Sequence, residues 1–118
     1  MRYYLLSSLV DYTKMELHNE YHWIEDLLKH ISFPCHALLI ASSPDEIEKT
    51  RRYAQEIVDV MEKHGLSLSD FDILDRNSAR CTKELIDKAD MIIAMGGHVP
   101  TQNAFFQEID LKKHLQEF

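Results

Sequence analysis

The alternation of short apolar runs with amphipathic stretches constrains this chain's fold more than any other feature of its sequence. The runs are Tyr3-Tyr4-Leu5-Leu6-Ser7-Ser8, Ala37-Leu38-Leu39-Ile40-Ala41-Ser42, Phe71-Asp72-Ile73-Leu74-Asp75 and Met91-Ile92-Ile93-Ala94-Met95. Continuous apolar runs bounded by turn residues suit strands buried on both faces. The third run is the most polar and alternates, as an edge strand does. Between the runs lie helical patterns. From about Glu16 to Ile31, residues Tyr21, Ile24, Leu27, Leu28 and Ile31 recur at helical spacing. From Asp45 to His64, one face carries Ile47, Ala54, Ile57, Val58 and Met61, and Gly65 follows in the usual terminating position. Ser78 is placed to cap a short helix through Ala89, and a last helix from near Thr101 carries Phe105, Phe106, Ile109 and Leu115. The order β-α-β-α-β-α-β-α implies right-handed crossovers and a parallel sheet. The predicted fold is therefore a three-layer α/β/α sandwich with four strands.

The length of 118 residues suits one domain. Apolar residues at 45% and charged residues at 28% match ordinary globular usage. A net charge of −7 argues against nucleic acid and anionic membranes as partners, because both need a basic patch. No apolar run approaches the ~20 residues that cross a bilayer. The run after Met1-Arg2 is too short for a signal peptide, so a cytoplasmic location is expected. Cys35 and Cys81 form no CxxC pair and read as reduced packing residues. His18 and His22 lie four apart with Glu20 between them, but no third ligand accompanies them. They read as a helix face, and neither a metal nor a cofactor is expected.

In parallel sheets, ligands bind beyond the carboxyl ends of the strands. That places two segments at a candidate site: Ser7-Ser8-Leu9 after the first strand, and Gly96-Gly97-His98 after the fourth. The irregular loop Leu9 to Met15 is a candidate site loop. Two of the chain's three glycines stand together at Gly96-Gly97, where the backbone can take positive φ and a ligand can approach N–H groups without a Cβ in the way. Such a strand–glycine–helix junction offers free N–H groups to an anion or oxyanion. The same pattern also serves as a plain tight turn.

The segment Asp90-Met91-Ile92-Ile93-Ala94-Met95-Gly96-Gly97, with the following helix from Thr101 to Phe106, resembles the peptidase E family of serine peptidases (aspartyl dipeptidases, related to cyanophycinase). The opening Tyr4-Leu5-Leu6-Ser7-Ser8 is similar to that family's first strand, and the resemblance extends over essentially the whole chain. It implies a flavodoxin-like, class I glutamine-amidotransferase-like fold. It also implies that Gly97 gives an N–H to an oxyanion hole, with Gly96, His98, Ser7 and Ser8 near a small peptide or acyl substrate. This chain has Met95-Gly96-Gly97-His98-Val99 where family members have Gly-Gly-Gly-Asn-Thr.

The family's nucleophile sits on a later Gly-x-Ser-x-Gly-like elbow, and no serine here has that setting. A hydroxyl without a positioned base is a weak nucleophile, so this chain by itself is expected to be inactive. On this expectation the 118 residues form the amino-terminal part of a larger serine hydrolase domain. The alternative is a non-catalytic α/β interaction module that self-associates, as a homodimer, or pairs through an exposed sheet edge.

Overall fold

A computed structural model describes residues 10–11, 13–17 and 22–117. The predicted first strand, Tyr3 to Ser8, lies outside them. The elements in chain order are β1 (Val10–Asp11), β2 (Glu16–Leu17), α1 (Trp23–His30), β3 (Cys35–Ile40), α2 (Ile47–Lys63), β4 (Leu68–Leu74), α3 (Thr82–Asp87), β5 (Met91–Ala94), α4 (Val99–Glu108) and α5 (Leu111–Glu117). A 3-10 turn, Ala79–Cys81, leads into α3.

The main sheet has the order β4-β3-β5, and both pairings are parallel. β3 is its centre. Ala37, Leu38, Leu39 and Ile40 are at most 1% exposed, which explains why their run carries no polar residue. Cys35, Ala37 and Leu39 point into one apolar cluster with Trp23, Leu27, Ala54, Ile57 and Met61 from α1 and α2. Leu38 and Ile40 point into the other, with Ile86 of α3, Phe105 of α4, Ile109 just after it and Leu111 of α5. The sheet is thus a middle layer between helices, in agreement with the predicted α/β class. Three parallel strands are described. β4, the polar run, has only β3 as a described neighbour, as its alternation predicts.

Several local expectations are corrected. The stretch from Glu16 is not helical at first: β1 and β2 form a small antiparallel ribbon, and α1 begins only at Trp23, after His22 takes a left-handed φ of 55°. Leu28, expected inward, is 46% exposed. Cys35 is buried as expected, and burial pushes its thiol pKa up. Cys81 is exposed, because it stands at the amino end of α3 rather than inside the core.

Ser78 does not cap a helix. Its hydroxyl donates to the Ile73 carbonyl at 2.8 Å instead. The last helix begins at Val99, two residues before Thr101, and breaks at Asp110, whose φ of 53° suits the short polar side chain. α2 ends as expected at Gly65, φ 83°. There the N–H of Gly65 bonds Glu62 O and that of Leu66 bonds Met61 O, both at 3.0 Å, which satisfies the last carbonyls.

At the amino edge of the sheet, His36 Nε2 and Asp72 Oδ2 are 2.7 Å apart and Lys88 Nζ lies 3.2 Å from the same oxygen. Asp90 Oδ2 accepts the His36 N–H at 2.9 Å. Burial would raise the Asp72 carboxyl, but hydrogen bonds from His36 and Lys88 outweigh it and hold the group below its ordinary value. Such a group binds its proton less readily folded than unfolded. The stability it contributes is complete above the ordinary carboxyl range and is lost as pH falls through and below it. The stability advantage of the wild type over Asp72→Asn, measured by urea unfolding, is expected to be larger at about pH 6 than at about pH 3. An advantage unchanged between the two would show the carboxylate to be idle. Leu38→Ala, which empties a site buried on every side, is expected to cost about 2–5 kcal/mol in the same measurement.

Candidate functional site

The connections define where a ligand site can form. From β3 the chain passes through α2 on one face to reach β4, then through α3 on the opposite face to reach β5. The strand order therefore reverses between β3 and β5, and the crevice beyond their carboxyl ends is the place where such sheets bind ligands. Two segments meet there: Ala41-Ser42-Ser43-Pro44 after β3 and Met95-Gly96-Gly97-His98 after β5. The ladder continues into them, with Met95 N–H bonded to Ile40 O at 2.9 Å.

The two segments interlock. Ser42 is 9% exposed, and its hydroxyl donates to the Gly96 carbonyl at 2.8 Å. A Cβ added to Gly97 would lie 2.3 Å from Ser42 Oγ and 2.6 Å from Ser42 Cβ, whereas one added to Gly96 would meet nothing. Neither glycine has the positive φ expected of it; of the glycines, only Gly65 does. Gly97 is a glycine because Ser42 comes so close. Gly96, Gly97 and His98 are all exposed, and among the described residues no acceptor engages their N–H groups.

His98 stands at the amino end of α4, and its Nδ1 is hydrogen-bonded to the Thr101 hydroxyl at 2.8 Å. Thr101 thus lies inside the first turn and steadies His98 rather than capping the helix. The Gln102 side-chain amide donates to the Met95 carbonyl, which fastens the helix back onto the strand end.

Arg76, in the turn after β4, holds the surrounding loops. Its N–H bonds the Pro44 carbonyl at 3.0 Å and its Nε bonds Asp45 Oδ1 at 2.9 Å. Its NH1 pairs with Glu108 at the far end of α4, and the guanidinium sits 5.3 Å from the centre of the Phe105 ring. Hydrogen bonds to Asp45 and Glu108 push its pKa further up, so it stays charged at any pH the fold survives. Beside it, Asp75 is 4% exposed, and its Oδ1 accepts the N–H groups of Asn77 and Ser78 at 2.9 and 3.2 Å.

Of the residues expected at the site, Gly96, Gly97 and His98 come together at the carboxyl end of β5, and Ser7 and Ser8 lie outside the described residues. The second wall comes from Ser42 and Ser43 after β3. The signal for them was the Ser42-Ser43-Pro44 break that closes the most buried run. The loop Leu9 to Met15 is not a site loop where it is described. Lys63 Nζ donates to Met15 O at 3.3 Å, at the carboxyl end of α2 and hence at the opposite edge of the sheet. His22 pairs with Glu25 at 3.7 Å, and no group of three metal-ligating side chains occurs among the described residues.

The site is a shelf rather than a pocket. One cavity, of about 280 Å³, runs along β4 near Arg51, Phe71 and Asn77. Another, of about 670 Å³, lies between α4 and α5 near Phe106, Leu111 and Leu115. Neither is lined by Ser42, Gly96, Gly97 or His98.

Comparison of the chain with protein-family models, with curated proteins and with solved structures finds no match.

The interlock makes the two glycines unequal. Gly97→Ala is expected to cost about 1–3 kcal/mol through overpacking, and Gly96→Ala close to nothing. Thermal melts of the two variants check this. Pairing Gly97→Ala with Ser42→Gly, which removes both clashing atoms, is expected to recover part of the loss.

Proposed function

We propose that this chain carries the oxyanion-binding shelf of a peptidase E-like serine hydrolase, acting on small peptide or acyl substrates. The observation that supports it is the set of exposed, unengaged N–H groups of Gly96, Gly97 and His98 at the strand-order reversal. Amides fixed in this way stabilise a developing negative charge without having to reorganise. Gly97 is the principal donor, with Gly96 and His98 flanking the substrate. The resemblance of Asp90 to Phe106 to that family supports the same assignment.

The nucleophile and its base are not among the described residues. Ser42 is engaged with a carbonyl, and Ser78 bridges Ile73 and Asp75. Catalysis would thus need a nucleophilic elbow beyond this segment.

The test is an amide-resolved NMR titration of residues 1–118 with a peptidyl phosphonate, whose tetrahedral anion mimics the reaction intermediate. Shifts concentrated at Gly96, Gly97 and His98 are expected. A titration to millimolar phosphonate that leaves these three amides unmoved would remove the proposal. The same chain is expected to leave Asp-X dipeptides intact, and turnover by it would mean that a nucleophile has been overlooked.

A second role, self-association through β5, is favoured by a contrast between the two outer strands. On β4, Asp70 Oδ1 accepts the Phe71 N–H at 2.8 Å, and Asp70 and Asp72 add charge, both of which discourage pairing. Met91 to Ala94 carry no charge, Ala94 is exposed, and β3 is their one partner among the described residues. Light scattering is expected to show a dimer that Ala94→Lys dissociates. A protein that stays monomeric as its concentration rises would exclude this role.

A further inference from the structure

The ribbon of β1 and β2 packs on α2 through apolar side chains and through one contact that depends on a proton. Val10 and Leu17 are 3% and 5% exposed and share a core cluster with Met61 and Leu66, which flank the end of α2. Between those two residues stands His64, half-buried, which closes the helix. The backbone N–H of Leu17 donates to His64 Nε2 at 3.2 Å.

An imidazole nitrogen accepts only through a free lone pair, so His64 must be neutral here and carry its hydrogen on Nδ1. A protonated ring places a hydrogen on both nitrogens. The Leu17 N–H would then face a second donor, and a largely buried amide would lose its acceptor. A second polar tie of the ribbon to this helix end runs from Lys63 Nζ to the Met15 carbonyl at 3.3 Å and does not involve the imidazole. Among the described side chains, the ribbon and the last turn of α2 bring Lys14, Glu16, Glu62 and Lys63 to this end, all exposed. Two are cationic and two anionic, so the charged groups at this end are balanced in number.

We infer that His64 is a proton-operated catch: neutral, it holds the ribbon Val10–Leu17 against α2, and protonated, it releases it. Acidification that protonates this ring loosens the ribbon first and uncovers the apolar seat of Leu17. The carboxyl-end shelf lies at the other edge of the sheet and is left in place, so this inference does not rest on the proposed function.

Hydrogen exchange of the Leu17 amide, corrected for its intrinsic pH dependence, tests the catch on residues 1–118. Protection is expected to fall roughly 3–10-fold between about pH 7.5 and about pH 5, the effect of losing one hydrogen bond. In His64→Gln, whose side-chain oxygen accepts but does not titrate, that fall is expected to vanish. Lys63→Met is expected to lower protection equally at both pH values. A wild type without the fall, or a His64→Gln variant that keeps it, overturns the inference. The ring itself gives a readout that needs no variant: nitrogen shifts at about pH 7.5 are expected to place the hydrogen on Nδ1. A hydrogen on Nε2 would overturn the inference equally.

Discussion

Everything in this fold is arranged around a strand that water does not reach. β3 is hydrogen-bonded to a neighbour on each edge and packed on each face, with four consecutive residues at most 1% exposed. Its backbone polar groups can be satisfied only by β4 and β5, and its side chains only by helices on both sides. Two separate apolar clusters follow from this, one per face, and each recruits its own helices. Removing either layer would expose half of the strand's apolar surface.

The same strand decides where chemistry can occur. Because β3 is central, its two neighbours are reached by crossovers on opposite faces, and a crevice opens between the loops that diverge from its carboxyl end. Among the described residues, no side chain in that crevice has the pairing of a nucleophile with a base. What it offers is backbone: a glycine pair, a helix start and a buried serine that keeps them aligned. Arg76 braces the surroundings from outside by linking the β3–α2 loop to the distal end of α4. On the proposed reading the crevice receives negative charge, in a protein whose overall charge is itself −7. On that reading short-range N–H donors, rather than long-range attraction, do the recognising.

Sequence pattern revealed the layers because burial leaves a periodic trace. The unbroken run from Ala37 to Ile40 announces a strand covered on both faces, and Gly65 announces the left-handed end of α2. Where the trace is absent or misleading, structure was needed. The ribbon strands are two residues each, too short for any period to register, and Leu17 fell inside a helical pattern that His22 in fact interrupts. Ile109 keeps helical spacing with Phe105, which hides the break at Asp110. At the candidate site, Gly96-Gly97-His98 was visible as composition, but the reason for Gly97 was not. That reason is Ser42, 55 positions earlier, and only the pairing of β5 with β3 brings the two together.

The contact between Ser42 and Gly97 also fixes how the two strands can slide. Parallel strands with apolar side chains tolerate more than one alignment, since a shift of two residues returns each side chain to the same face. Here such a shift of β5 would carry Gly97 away from Ser42 and bring Met95 or Val99, each with a side chain, to the place where not even a methyl fits. The serine and glycine therefore act as a key in a slot, and they set the height at which the amides of α4 stand above the end of β3.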